Sequence, residues 1–141
     1  MKQRTDKQKA KAAIKWIDAL PKYRKTTGIL REGNKPSNYS YCCLGVGATV
    51  CRSGDNMYGG FAHGLADRCG LFSADGELVK LVRVGGVGVV SLVHMNDELY
   101  NEDTDFTRVR KFILRHLGRI FEPGVAKILK AHYKNEKAAK K

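Results

Sequence analysis

From Tyr39 to Cys51 the chain reads YSYCCLGVGATVC, an apolar run without a charged side chain. Such a segment must be buried, so the rest of the chain has to fold around it. Cys43, Val46, Gly47 and Val50 recur at i, i+3, i+4 and i+7, which predicts a short buried helix over residues 42–51. Gly45 and Gly47 each weaken a helix by roughly 1 kcal/mol, and close approach of another backbone is the compensating reason to have them there.

At 141 residues the chain suits one ordinary domain with one core. No run of about 18 apolar residues could span a bilayer, and MKQRTDKQKAKAAIKW lacks the apolar segment of a secretory signal. The expectation is a soluble protein inside a cell, where the four cysteines stay reduced.

Periodicity then divides the chain. Ala10, Ala13, Ile14, Ile17 and Leu20 mark an amphipathic helix over 7–20 with Trp16 on its flank, stopped by Pro21. Residues 26–41 read as a hairpin around Gly-Asn-Lys-Pro-Ser-Asn, 61–71 as a short helix, 76–84 as a strand, GGVGVV as a bend, and 91–99 as a helical turn. Asp105 is placed to cap a helix over 106–121, and Glu122-Pro123 to start a last helix to about Tyr133. The fold class read from this is α+β: a small antiparallel sheet of hairpin plus strand, covered by short helices, with a basic C-terminal helical pair. Residues 1–121 are expected to form the α+β domain, and 122–141 a basic helix and flexible tail.

Charge is unevenly spread. The formal net charge is +12; residues 1–25 hold nine Lys or Arg against Asp6 and Asp18, and residues 106–141 hold eleven against Glu122 and Glu136. Residues 26–105 hold six against ten acids. A mildly acidic body between basic ends points to a polyanionic partner. Within 106–121, Phe106, Val109, Ile113, Leu117 and Ile120 form one helical stripe and Arg108, Lys111, Arg115 and Arg119 the opposite one, with no acid in the segment. Lys127, Lys130 and Lys134 would extend that basic face on the next helix.

KWIDALPKYRKTTGILR, YCCLGV, Gly70-Leu71, SLVHMND and DFTRVRKFI follow one another in an order that resembles a widespread uncharacterised family of small proteins encoded by tailed bacteriophages. The resemblance spans roughly Lys15 to Leu117, about three-quarters of the chain, and the [YF]-C-C-L-G-V block is its most specific part. The chain departs from the pattern at Ala48, where the family has a third cysteine, at Arg24–Thr26, which lacks a glutamine, and in its closing helix, which is basic where the family's is acidic. The resemblance implies kinship with phage proteins and a place in the host-cell cytoplasm. It implies no mechanism.

Specific chemistry finds weaker support. Cys42 or Cys43 with Cys51, His63 and Cys69 could be proposed as zinc ligands, but they lack the close paired spacing of structural zinc, and buried core cysteine is the better reading. Cys42 or Cys69 with His63 or His94 forms no recognisable nucleophile motif. GGVGVV is not a phosphate-binding loop, and NDELYNEDTD lacks the order of a calcium loop; capping is the better role for Asn96-Asp97. The sequence thus favours a binding protein over an enzyme, without cofactor or metal. Its expected partner is the phosphate backbone of DNA or RNA, contacted by Arg108, Lys111, Arg115, Arg119, Lys127 and Lys130 with little sequence specificity. The alternative is a non-catalytic inhibitor that binds an acidic surface of a host protein or sequesters a nucleotide signal.

Overall fold

A computed structural model of the chain describes residues 4–136. Helix α1 (Asp6–Ala19) begins with a capping box: Thr5 Oγ1 accepts the Gln8 backbone N–H, and Gln8 Oε1 accepts the Thr5 N–H. Ala10, Ala13, Trp16 and Ile17 face the core, and the helix gives way at the 3-10 turn Leu20–Lys22, which contains Pro21.

The hairpin that follows pairs few residues. Strands β1 (Arg31–Glu32) and β2 (Ser40–Tyr41) run antiparallel, with Arg31 opposite Tyr41 and Glu32 opposite Ser40. Pro36–Asn38 forms a 3-10 turn between them.

Helix α2 (Cys43–Val50) occupies the centre, with Cys43 to Ala48 buried in unbroken succession. Other groups close in around its glycines. A Cβ on Gly45 would overlap the Leu30 carbonyl oxygen, and one on Gly47 would lie 2.6 Å from Leu65 Cδ2. Both backbone groups of Cys43 are spoken for: its N–H donates to Asn96 Oδ1 (3.2 Å), and its carbonyl accepts the indole N–H of Trp16 (2.8 Å). Asn96 is itself fully buried; it donates to the Thr26 carbonyl (3.0 Å), and its own carbonyl accepts Lys25 Nζ (2.9 Å). Asn96 therefore caps, but the helix it caps is α2, far away in sequence.

Helix α3 (His63–Cys69) is capped by Asp55, which accepts from the Gly64 (2.7 Å) and Leu65 (3.0 Å) amides, and it ends at Gly70 in a left-handed conformation. Strand β3 (Glu77–Val84) then pairs antiparallel with β4 (Val87–Ser91). Gly85 and Gly86, both at positive φ (55° and 87°), form the two-residue turn between them. GGVGVV is thus turn in its first two residues and strand in the other four, because two consecutive glycines supply the backbone that a tight hairpin favours. The ribbon β3–β4 does not join β1–β2, so the expected single sheet is divided into two two-stranded ones.

Ser91 caps the short helix α4 (Leu92–His94), which runs into a π-helical turn, Met95–Leu99. Asp105 accepts from the Thr107 amide (3.0 Å) at the start of α5 (Thr107–Arg115). One helix was expected over 106–121, but it breaks at His116 (φ −128°, ψ 30°) and resumes as α6 (Leu117–Ile120). Gly118 lies just beyond and lowers helix propensity there. All five residues of the expected apolar stripe, Phe106, Val109, Ile113, Leu117 and Ile120, are buried despite the break.

Helix α7 (Pro123–His132) packs against α1 through Val125, Ala126 and Leu129. Tyr133 Oη donates to Asp18 (2.8 Å), and Lys9 Nζ donates to Glu122 (3.0 Å). Residues 122–136 therefore share the core of residues 4–121 instead of following it as an appendage. The expected tail begins at Lys134; 137–141 lie outside the described residues. The protein is a small α+β fold with seven helices and two small antiparallel sheets among the described residues.

Candidate nucleic-acid interface

Four of the expected phosphate-binding residues lie on α5 and α6, and burial of the apolar stripe turns all four outward. Arg108, Lys111, Arg115 and Arg119 are exposed, as are Lys127 and Lys130 on α7 and Lys134 just beyond it. The break at His116 leaves two hollows side by side. The larger, about 410 Å³, is lined by Arg115, His116, Gly118, Arg119, Lys130 and Lys134. The smaller, about 200 Å³, is lined by Tyr100, Arg108, Lys111, Arg115 and His116 with Val84 and Phe112. Arg115 and His116 border both, so the hollows form one strip. No carboxylate lines either hollow among the described residues.

The cations on this strip are not equally available. Arg108 binds Asp103 through both Nε (3.0 Å) and Nη2, and its guanidinium lies 4.6 Å from the centre of the Tyr100 ring. Two of its five donors are thus already taken. Arg119 Nη1 donates to the Leu81 carbonyl (3.0 Å), which ties α6 to β3 and fixes the guanidinium over the ribbon. Lys111, Arg115, Lys130 and Lys134 have no ion-pair partner among the described residues. The Lys130 ammonium lies 2.9 Å from where a Cβ on Gly118 would be, so glycine is what lets α7 bring this charge against α6. Lys127 is exposed but borders neither hollow.

His116 escaped the sequence reading because an isolated histidine in a basic helix carries no distinctive spacing. It is half-buried, with its ring tilted at 53° against Phe112 and the ring centres 4.7 Å apart. Burial, then the Arg119 and Arg115 charges, hold its imidazole below the ordinary range. The ring is therefore neutral at pH 7 and can accept one hydrogen bond. Among the aromatics near the basic segments, Trp16 and Tyr133 are core, and Tyr23 packs edge-on against Tyr41.

The cysteine candidates separate by position. Cys42, Cys43 and Cys69 are buried free thiols, and burial pushes Cys42 up to about 12. Cys51 is half-buried, and His63 stands exposed at the start of α3. Among the described residues, no three His, Cys, Asp or Glu side chains come together as a metal site. His94 accepts the Val90 amide through Nδ1 (3.3 Å), and its Nε2 lies 3.8 Å from Glu98, so its neighbours are not thiols. Among the described residues, no helix is long and apolar enough to cross a membrane.

Comparison with protein-family models, with curated proteins and with solved structures finds no match to this chain.

Proposed function

We propose that this is a phage accessory protein of the host cytoplasm that binds nucleic acid through the strip formed by α5, α6 and α7, with little sequence preference. The observation that carries the reading is the pair of adjoining hollows lined by Lys111, Arg115, Arg119, Lys130 and Lys134, with no carboxylate in the lining among the described residues. A concave cationic strip attracts phosphates and gains from counterion release. Arg115, at the junction, reaches toward both hollows, and its fork of donors suits a bidentate phosphate contact. Neither hollow presents an exposed base-reading array of asparagine, glutamine and carboxylate, which agrees with recognition of backbone over bases.

The test is fluorescence anisotropy of the purified, nuclease-treated chain with labelled duplex DNA, single-stranded DNA and RNA over a range of salt. About five phosphate contacts give a slope of about −4 in log affinity against log salt. Lys111→Glu, Arg115→Glu and Lys130→Glu together should abolish binding while the circular dichroism spectrum is unchanged. Undiminished binding by that folded variant would place the nucleic acid elsewhere. Arg108→Glu is a poor choice of probe, because it would set a carboxylate against Asp103.

One observation favours a protein partner as the second reading. The outer face of the β3–β4 ribbon exposes Val79 (65%), Leu81 (46%) and Val90 (51%), a run of apolar side chains beside Arg119. A non-catalytic inhibitor of a host protein would use that face together with the basic strip. Its signature is a stoichiometric host complex that survives high salt, with no salt-sensitive binding of DNA or RNA.

A further inference from the structure

The smaller hollow of the strip differs from the larger in what forms its walls. Arg108, Lys111 and Arg115 stand around it as exposed cations, but Val84, Tyr100 and Phe112 supply most of the rest. Phosphate is held by charge and hydrogen-bond donors, so a site for phosphate alone has no use for aliphatic and aromatic walls. Tyr100 and Phe112 are packed into the core, which fixes the position of both rings. The volume of about 200 Å³ falls below the roughly 300–1,000 Å³ of a pocket for a drug-sized ligand, and suits one flat heterocycle.

Arg108 adds a flat surface of its own. Asp103 takes its Nε (3.0 Å) and Nη2, and its guanidinium carbon lies 4.6 Å from the centre of the Tyr100 ring, so two neighbours hold the group in one orientation. The donors engaged by Asp103 leave Arg108 a poorer phosphate ligand than Lys111 or Arg115, which have no ion-pair partner among the described residues. Planar and fixed, it serves better as a surface on which a base stacks.

We propose that this hollow receives one unpaired base, and that the strip is therefore a surface for single-stranded nucleic acid. The assignment rests on the strip being a phosphate surface and adds the class of strand it takes. The base lies among Tyr100, Phe112 and the Arg108 plane, and the phosphates flanking it meet Lys111 and Arg115. From there the strand passes over Arg115 into the larger hollow, where Arg119, Lys130 and Lys134 take the next phosphates. A base in a duplex is paired and stacked, and must give up both to enter; a single strand offers its bases without that cost. Stacking uses the π-face that every base has, so the hollow adds affinity without choosing a sequence.

Three labelled probes are compared by anisotropy with the full chain at one moderate salt concentration: a short oligonucleotide, the duplex of the same sequence, and a strand of the same length without bases. The oligonucleotide should bind about tenfold tighter than either of the others. A surface of charge alone would prefer the duplex, whose charge density is higher. Val84→Trp, at the half-exposed end of β3 beside the Gly85-Gly86 turn, fills the hollow and should bring both ratios close to one. Arg108→Lys keeps the charge, loses the plane and should lower both ratios. On the unaltered chain, 5-iodouracil placed in the strand and irradiated should crosslink to Tyr100, Phe112 or His116, as located by peptide mapping, so the decision does not depend on a variant that folds. Equal affinity for strand and duplex, an abasic strand bound as well as the intact one, or a crosslink confined to the exposed Tyr58, Phe61 or Phe72 would each overturn the assignment and leave phosphate binding by the strip standing. No binding of any of the three probes would remove both.

Discussion

Replacing Gly45 by alanine would drive a methyl group into the Leu30 carbonyl, and backbone on both sides leaves nothing flexible to yield. The expected cost is on the order of 3 kcal/mol, read as a shift in the urea midpoint; a loss below about 0.5 kcal/mol would show that α2 does not sit against Leu30 as described. Asn96→Ala removes a different element of the same arrangement. It leaves the buried Cys43 amide and the part-buried Thr26 carbonyl without Asn96 as partner, and should cost about 2 kcal/mol by the same measurement. Both residues stood out in the sequence, one as a glycine inside an apolar run with helical spacing and the other in an Asn-Asp pair suited to capping. Periodicity could reveal that Gly45 needed a close neighbour, because glycine's lack of a side chain is itself the signal. It could not reveal that Asn96 and Cys43 touch, because a hydrogen bond across fifty-three positions leaves no local pattern.

At the level of the elements, the break between α5 and α6 sets His116 in the lining of both hollows. Its folded imidazole is held below the ordinary value of 6.5, so below that pH the unfolded chain binds more protons at this ring than the folded one does. The ring's contribution to stability is fully present above about pH 6.5 and is lost as pH falls through the depressed folded value. A bound polyanion acts in the opposite sense, since phosphates favour imidazolium. Acidification from about pH 7 to about pH 5 should therefore tighten nucleic-acid binding while it lowers the melting temperature. His116→Gln should flatten part of both trends, checked by anisotropy and by thermal melts over that range. An NMR titration of the ring at or above its ordinary value would remove the basis for this expectation. The exposed basic stripe and its buried opposite face were legible in residues 106–121, because a 3.6-residue period survives a one-residue interruption. The interruption was not legible for the same reason, and it is what shapes the hollows. Likewise GGVGVV announced a change of direction, but the strand in its last four residues is too rich in glycine and valine to be told from a loop without its partner.

For the whole molecule, the charge map and the core set different boundaries. By charge the chain is an acidic body with basic ends, which suggested an appended C-terminal helix; by packing, α7 completes the core by covering α1. Val125, Leu129 and Tyr133 are buried in the same core cluster as Trp16 and Ile17, and Arg110 reaches both Asp18 (3.4 Å) and Glu136 (3.0 Å) from α5. Truncation after Phe121 would uncover the apolar side of α1 and leave Asp18 without Tyr133. Such a chain should lose cooperative unfolding altogether, because the several large side chains removed are each worth roughly 1.5–3 kcal/mol of burial and a domain's whole margin is only about 5–15 kcal/mol. Truncation after Glu136 keeps every contact described for α7 and removes only Lys137, Lys140 and Lys141 from the terminal charge. It should bind nucleic acid with a shallower salt slope if those lysines take part in binding. A cooperative transition in the chain ending at Phe121 would mean that the charge boundary is also a folding boundary, and that α7 is added to a core already stable without it.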